Sequence, residues 1–286
     1  MNRLLDFTTY HPLLFVLLAI VGWILLGALG TVVTMFVLDA PLTDPVVQSA
    51  GSLVATACIL ALAWRWGWLK PAGFTRLGGL RLWLIILATA VFIIVAYQFA
   101  FFSEIALNLD QLNGTEARQI LMRQAVVGFV EETMFRGILL FALVRVWGDS
   151  RRGMLAAIGV TALLFGMLHS LQALVGNDGL QLTLTILNCI ITGLWFGAIV
   201  LWGGSIWPAV LLHAVSNASV LLTLMGGTAG EITTNGLALA TLAELVLVFV
   251  FGALLLHKMP TGISAPSVSS QMIGKQRRQW WGKLVT

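Results

Sequence analysis

Long apolar runs separated by short polar breaks dominate the chain, and the runs have the length of membrane crossings. About 20 predominantly apolar residues carry a helix across the hydrocarbon core. By that measure eight spans are expected, over 13–38, 46–66, 82–107, 118–144, 153–175, 182–202, 205–225 and 236–257. The breaks carry turn chemistry: Asp39-Ala40-Pro41 with Asp44-Pro45, Gly78-Gly79, Asn113-Gly114, Gly148-Asp149, Asn177-Asp178-Gly179, Gly203-Gly204 and Gly226-Gly227. The narrowest is Gly203-Gly204-Ser205, between spans six and seven. The pattern predicts an all-α polytopic membrane protein with eight transmembrane helices in residues 1–258. Residues 259–286 follow as a flexible linker and a tail. That tail mixes bases with Trp280 and Trp281, as a segment lying on anionic lipid would.

Composition agrees with this reading. The 286 residues are 59% hydrophobic and 10% charged, with mean hydropathy +0.95. Soluble domains carry about 25% charged residues. The net charge of +4 would suit nucleic acid, but the bases follow the membrane rule instead: they gather on one side. With the N-terminus inside, Arg3, Arg65, Lys70, Arg76, Arg81, Arg145, Arg151, Arg152 and Lys258 all fall inside. Asp39, Asp44, Asp110, Glu116, Asp178 and Glu231 fall outside, where Arg118 and Arg123 are their only basic neighbours. Both termini are therefore expected in the cytoplasm, and no nucleic-acid partner is expected. Cys58 and Cys189 sit in apolar segments and support neither a disulfide framework nor a CxxC metal site. The run from Pro12 to Leu38 exceeds the 7–15 residues of a signal-peptide core, so a retained helix is expected there.

Against this apolar background, Glu131-Glu132-Thr133-Met134-Phe135-Arg136 is exceptional. Each charge at mid-membrane costs about 2.5–3.5 kcal/mol on insertion scales. On one continuous helix Glu132 and Arg136 stand four apart and share a face, so they can pair. Glu131 is turned about 100° away and is left as the carboxylate available for chemistry. A purely structural ion pair is the plain alternative. Span five holds Phe165 and His169 four apart, and span seven holds His213 and Asn217 four apart. Three helices could thus direct a carboxylate, an imidazole and an imidazole–amide pair into one polar cavity. Such groups suffice for hydrolysis by water. Glu131 would be the general base, His169 would hold the water, and His213 and Asn217 would face a developing oxyanion. Two histidines and a carboxylate are also a zinc set. The HExxH signature is missing and Asn is a poor zinc ligand, so no cofactor is the first expectation and zinc the competing one. Ser170 and Ser216 adjoin the site without a base to activate them. Glu104 and Glu244 are further acids in spans three and eight, and Asn188 reads as an interhelical hydrogen-bonding residue. A proton relay through Glu131, His169 and Glu244 would imply a transporter, but no internal repeat or broken-helix pair supports one.

At these residues the chain resembles the CPBP family of intramembrane proteases, also called the Abi or type II CAAX prenyl protease family. The family's EExxxR, FxxxH and HxxxN motifs stand in order at 131–136, 165–169 and 213–217, within residues 118–225. The resemblance implies eight helices around a cavity and endopeptidase activity in a cell membrane, in a bacterium the cytoplasmic one. It implies Glu131 as catalytic glutamate, Glu132 and Arg136 as a supporting ion pair, His169 as the water-activating histidine, and His213 with Asn217 as the oxyanion pair. The family has been described both as metalloproteases and as glutamate-dependent enzymes. The implied partner is a membrane-associated protein or peptide, prenylated in the CAAX branch. Many bacterial members are linked instead to bacteriocin immunity or scaffolding, which gives a non-catalytic alternative.

Overall fold

A computed structural model describes residues 2–42, 44–101, 114–171, 179–225 and 234–258. All regular structure among them is helical. A short helix α1 (Asn2–Tyr10) leads into α2 (Pro12–Leu38) and α3 (Pro45–Arg65), followed by α4 (Leu80–Phe101). The next rod begins as α5 (Gly114–Glu132), passes through a π-helical segment (Thr133–Leu140) and ends as α6 (Phe141–Trp147). Then come α7 (Arg151–Leu168), α8 (Gly179–Gly203), α9 (Trp207–Met225) and α10 (Thr234–Lys258). Counting the rod once, eight long helical segments match the eight expected runs. Among the described residues six helices are long and apolar enough to cross a membrane: α2, α3, α4, α7, α8 and α10. The rod does not meet that measure, and α9 offers only the shorter apolar stretch Trp207–Leu221. Glu104, Glu231 and the tail from Met259 lie outside the described residues.

Local chemistry sets the ends. Asp44 caps α3, its carboxylate accepting from the Val46 and Val47 amides at 2.7 and 3.3 Å, with Pro45 in the first turn. Ser150 caps α7 by accepting from the Gly153 amide at 3.0 Å. Gly204 turns the chain between α8 and α9 with φ +66, a conformation open to glycine at no steric cost. The narrow Gly203-Gly204-Ser205 break is thus a genuine helix boundary.

The π-helical segment is the buried axis of the molecule, and all eight of its residues are buried. In the same core lie Trp195, Phe196 and Phe165, with Phe74 from the α3–α4 loop packed against it. That loop is part of the packed interior. Trp68 is 3% exposed and packs edge-on against Phe141, with ring centroids 5.3 Å apart. The Gly73 carbonyl accepts from the Ile206 amide, the Phe74 carbonyl from Trp207 Nε1 at 2.9 Å, and the Arg76 carbonyl from Ser205 Oγ at 2.6 Å. Three bonds therefore pin the loop to the start of α9, the helix that carries His213.

Candidate active site

The two acids of the central motif stand where the rod changes from α to π winding. Glu131 and Glu132 close the α-helical part, and Arg136 lies inside the π segment. The sequence predicts one regular α-helix here; the backbone widens instead. No proline marks the change, which comes with tertiary packing: a Cβ on Gly137 would lie 2.4 Å from the Phe74 ring, so glycine admits the loop against the segment. Single-turn π insertions are common at functional sites.

Glu132 and Arg136 form the expected ion pair, Nη1 to Oε1 at 2.8 Å, both fully buried. The same Oε1 also receives His213 Nδ1 at 2.8 Å. A carboxylate only accepts, so the proton of this bond sits on Nδ1. The far ring nitrogen, Nε2, lies 3.6 Å from Glu131 Oε2. His213 thus spans both acids of the motif, and Glu131 has an imidazole for a neighbour. Glu131 keeps 25% of its side chain exposed, whereas Glu132 keeps none. Of the pair, Glu131 is the one a substrate or water can reach.

Aromatic rings enclose the charges. Phe165 stacks edge-on against Phe135, His169 and His213 at 5.0, 4.9 and 5.9 Å. The Arg136 guanidinium lies over Phe165 and Phe196 at 4.6 and 5.3 Å from their centroids. Each such cation–π contact contributes about 0.5–2 kcal/mol, most where water is excluded. Phe196, from α8, carries no motif signal and is legible only in three dimensions.

His169 is expected inside span five, but it is the cap residue at the end of α7. Its amide donates to Gly166 and Met167 carbonyls, and its Nδ1 meets the Phe165 carbonyl at 2.9 Å. That bond turns Nε2 away from its own helix. His169 meets His213 through the shared Phe165 ring, by no direct bond. Asn217 is half-buried, one turn beyond His213 on α9. The structure therefore brings Glu131, Glu132, Arg136 and His213 into direct contact and sets His169 against the same cluster through Phe165.

Residues 113–219 match a family model described as Type II CAAX prenyl endopeptidase Rce1-like. That stretch of the chain is Rce1-like. It is the family that the three motifs resemble, and the match spans the rod, α7, α8 and nearly all described side chains of α9. No curated protein and no solved structure matches the chain. The Rce1-like match over this stretch and the apolar helices together fit an integral membrane protein. As for zinc, no three of His, Cys, Asp and Glu stand together as a metal-holding group among the described residues.

Beyond the motifs, Glu244 of α10 finds the partners that the sequence could not name. Tyr97 of α4 and Thr192 of α8 donate to it, and Asn188 Nδ2 approaches at 3.4 Å. Asn188 also donates to Thr241 at 3.2 Å, so it does bond between helices, as its type led one to expect.

Proposed function

We propose that the protein is an intramembrane endopeptidase that hydrolyses a peptide bond of a membrane-associated substrate with a water activated by Glu131. The carrying observation is the facing pair on two helices, Glu131 Oε2 and His213 Nε2, 3.6 Å apart. That gap is too long for a direct hydrogen bond and suits a bridging water or substrate oxygen. Glu131 removes the water proton as general base. His169, across the Phe165 ring from His213, holds the same water. The tetrahedral oxyanion is met by His213 and Asn217.

The protonation of His213 follows from its neighbours. Its Nδ1–H is donated to Glu132. An Nε2 that faces a carboxylate is favourable when it too carries a proton. The imidazolium form supplies the donor that the oxyanion needs, and such a donor contributes about 2.7–4 kcal/mol. Glu132 and Arg136 hold the ring in place and take no part in bond breaking. No metal is required for any of these steps.

The Rce1-like description points to a prenylated CAAX-type protein as substrate. Both termini are read as cytoplasmic from the distribution of bases. The deciding experiment incubates reconstituted protein with a farnesylated CAAX peptide and, in parallel, compares the membrane proteome of cells carrying wild type or Glu131→Gln. Wild type is expected to release a carboxy-terminal tripeptide. Glu131→Gln is expected to lose 10²-fold or more, on the order of a general base's contribution, at unchanged melting temperature. If neither peptide nor proteome is cut by wild type, the proteolytic reading fails.

A further inference from the structure

Glu244 has no part in the hydrolysis above and lies outside the Rce1-like stretch, yet it is 1% exposed. A buried carboxyl is costly unless hydrogen-bonded, more so as an anion. Among the described residues two acids are wholly buried, and the chain treats them differently. Glu132 is paired with a guanidinium and an imidazole, so its charge is fixed. Glu244 is ringed by neutral donors: Tyr97 on one oxygen, Thr192 and Asn188 on the other. Among the described residues no Lys, Arg or His forms an ion pair with it.

Hydroxyls can donate or accept by rotating, which a guanidinium cannot. The ring around Glu244 can therefore serve both forms of the acid. With the carboxylate, Tyr97 and Thr192 donate. With the acid, Thr192 can accept from the carboxyl and turn its own proton to a backbone carbonyl one turn back, as Thr161 and Thr241 do at Ala157 and Leu237. Tyr97 from α4 bonds Glu244 directly, and Cys189 from α8 and His213 from α9 are the further titratable groups near enough to interact with it electrostatically. Cys189 also interacts electrostatically with Glu131 and Arg136. Tyr97 in turn faces Ser216, three residues beyond His213 on α9.

We propose that Glu244 is a proton-binding site coupled to His213. Uptake of a proton there changes the charge that the imidazole experiences, and so makes the Glu131–His213 pair respond to pH. The effect on turnover rests on the proteolytic reading; the proton site does not.

The test uses full-length protein in vesicles. Infrared difference spectra across a pH series are expected to show a carboxylic C=O stretch that disappears in Glu244→Gln and persists in Glu131→Gln. Tyr97→Phe, which removes a hydrogen bond to the same carboxyl, is expected to shift its frequency; this arm stands if Glu244→Gln fails to fold. The pH profile of kcat/KM for the cleaved peptide is expected to move in Glu244→Gln with the melting temperature held. Identical infrared spectra for wild type and Glu244→Gln at every pH would overturn the proton site. A titrating band with superimposable pH profiles would overturn the coupling. Absence of cleavage by wild type would sink the proteolytic reading alone and leave the infrared result to decide this one.

Discussion

Glu132 is the most committed side chain of the site, since one of its oxygens serves both Arg136 and His213. Its other oxygen and Arg136 Nη2 are buried with no hydrogen-bond partner among the described residues. Removing one partner from such a pair leaves an uncompensated buried charge, a loss of about 3–5 kcal/mol, whereas replacing both can be nearly neutral. Arg136→Met is therefore expected to cost about 3–5 kcal/mol. Glu132→Gln combined with Arg136→Met should recover most of it, because the Gln carbonyl still accepts from His213 Nδ1. Unfolding curves in mild detergent read both, and a double variant no more stable than the single one would contradict the fixed-charge role. The pairing of Glu132 with Arg136 was legible, because four residues along a helix bring side chains together. Its bond to His213 was not, because it joins residues 81 apart in sequence. The neutral ring around Glu244 was hidden for the same reason: it gathers α4, α8 and α10.

At the level of elements, apolarity located the helices well and their winding poorly. The runs gave α2, α3, α8 and α10 to within a few residues. The π segment escaped, since its register depends on Phe74 arriving from a loop, and His169 fell at a helix end that no proline or glycine announces. The long helix weakest in apolar signal, the α5 part of the rod, is the one that carries Glu131 and Glu132. The polar residues that make the site dilute the pattern that would reveal the helix. Close packing of α2 on α3 is a second element-scale feature. A Cβ on Gly51 would lie 2.1 Å from Thr31 Oγ1, 2.5 Å from the Thr31 amide nitrogen and 2.8 Å from the Gly27 carbonyl, while a Cβ on Gly22 meets nothing within 4 Å. Backbone cannot yield as a flexible side chain can. Gly51→Ala is expected to lose about 1–3 kcal/mol by overpacking. Gly22→Ala should instead be neutral or gain up to about 1 kcal/mol from helix propensity. Opposite signs in the same unfolding assay bear out the contact, and equal effects refute it.

Over the whole molecule, the open quantity is how many times the chain crosses the bilayer. Six helices qualify by apolarity, and the rod and α9 decide whether the number is eight. Length favours crossing by the rod: at about 1.5 Å per residue it runs on the order of 50 Å, against a hydrocarbon core of about 30 Å. Its charges are no obstacle, because Glu132 and Arg136 neutralise each other and the π segment is wholly buried by neighbouring helices. Both counts leave the two termini on one side, so terminal tags cannot discriminate. The turn at 148–150 can. With eight crossings it lies on the side of Arg65 and Lys70, as the excess of bases at Arg145, Arg151 and Arg152 requires. If the rod stayed on one side, the same turn would face the opposite compartment. Arg152 is exposed at the start of α7, so a cysteine there can be labelled without disturbing packing. In an Arg152→Cys variant with Cys58 and Cys189 replaced by alanine, a membrane-impermeant maleimide applied to intact cells is expected to leave the site unmodified and to modify it once the membrane is opened. Labelling in intact cells would remove the rod as a crossing, and with it the placement of Glu131 at membrane depth.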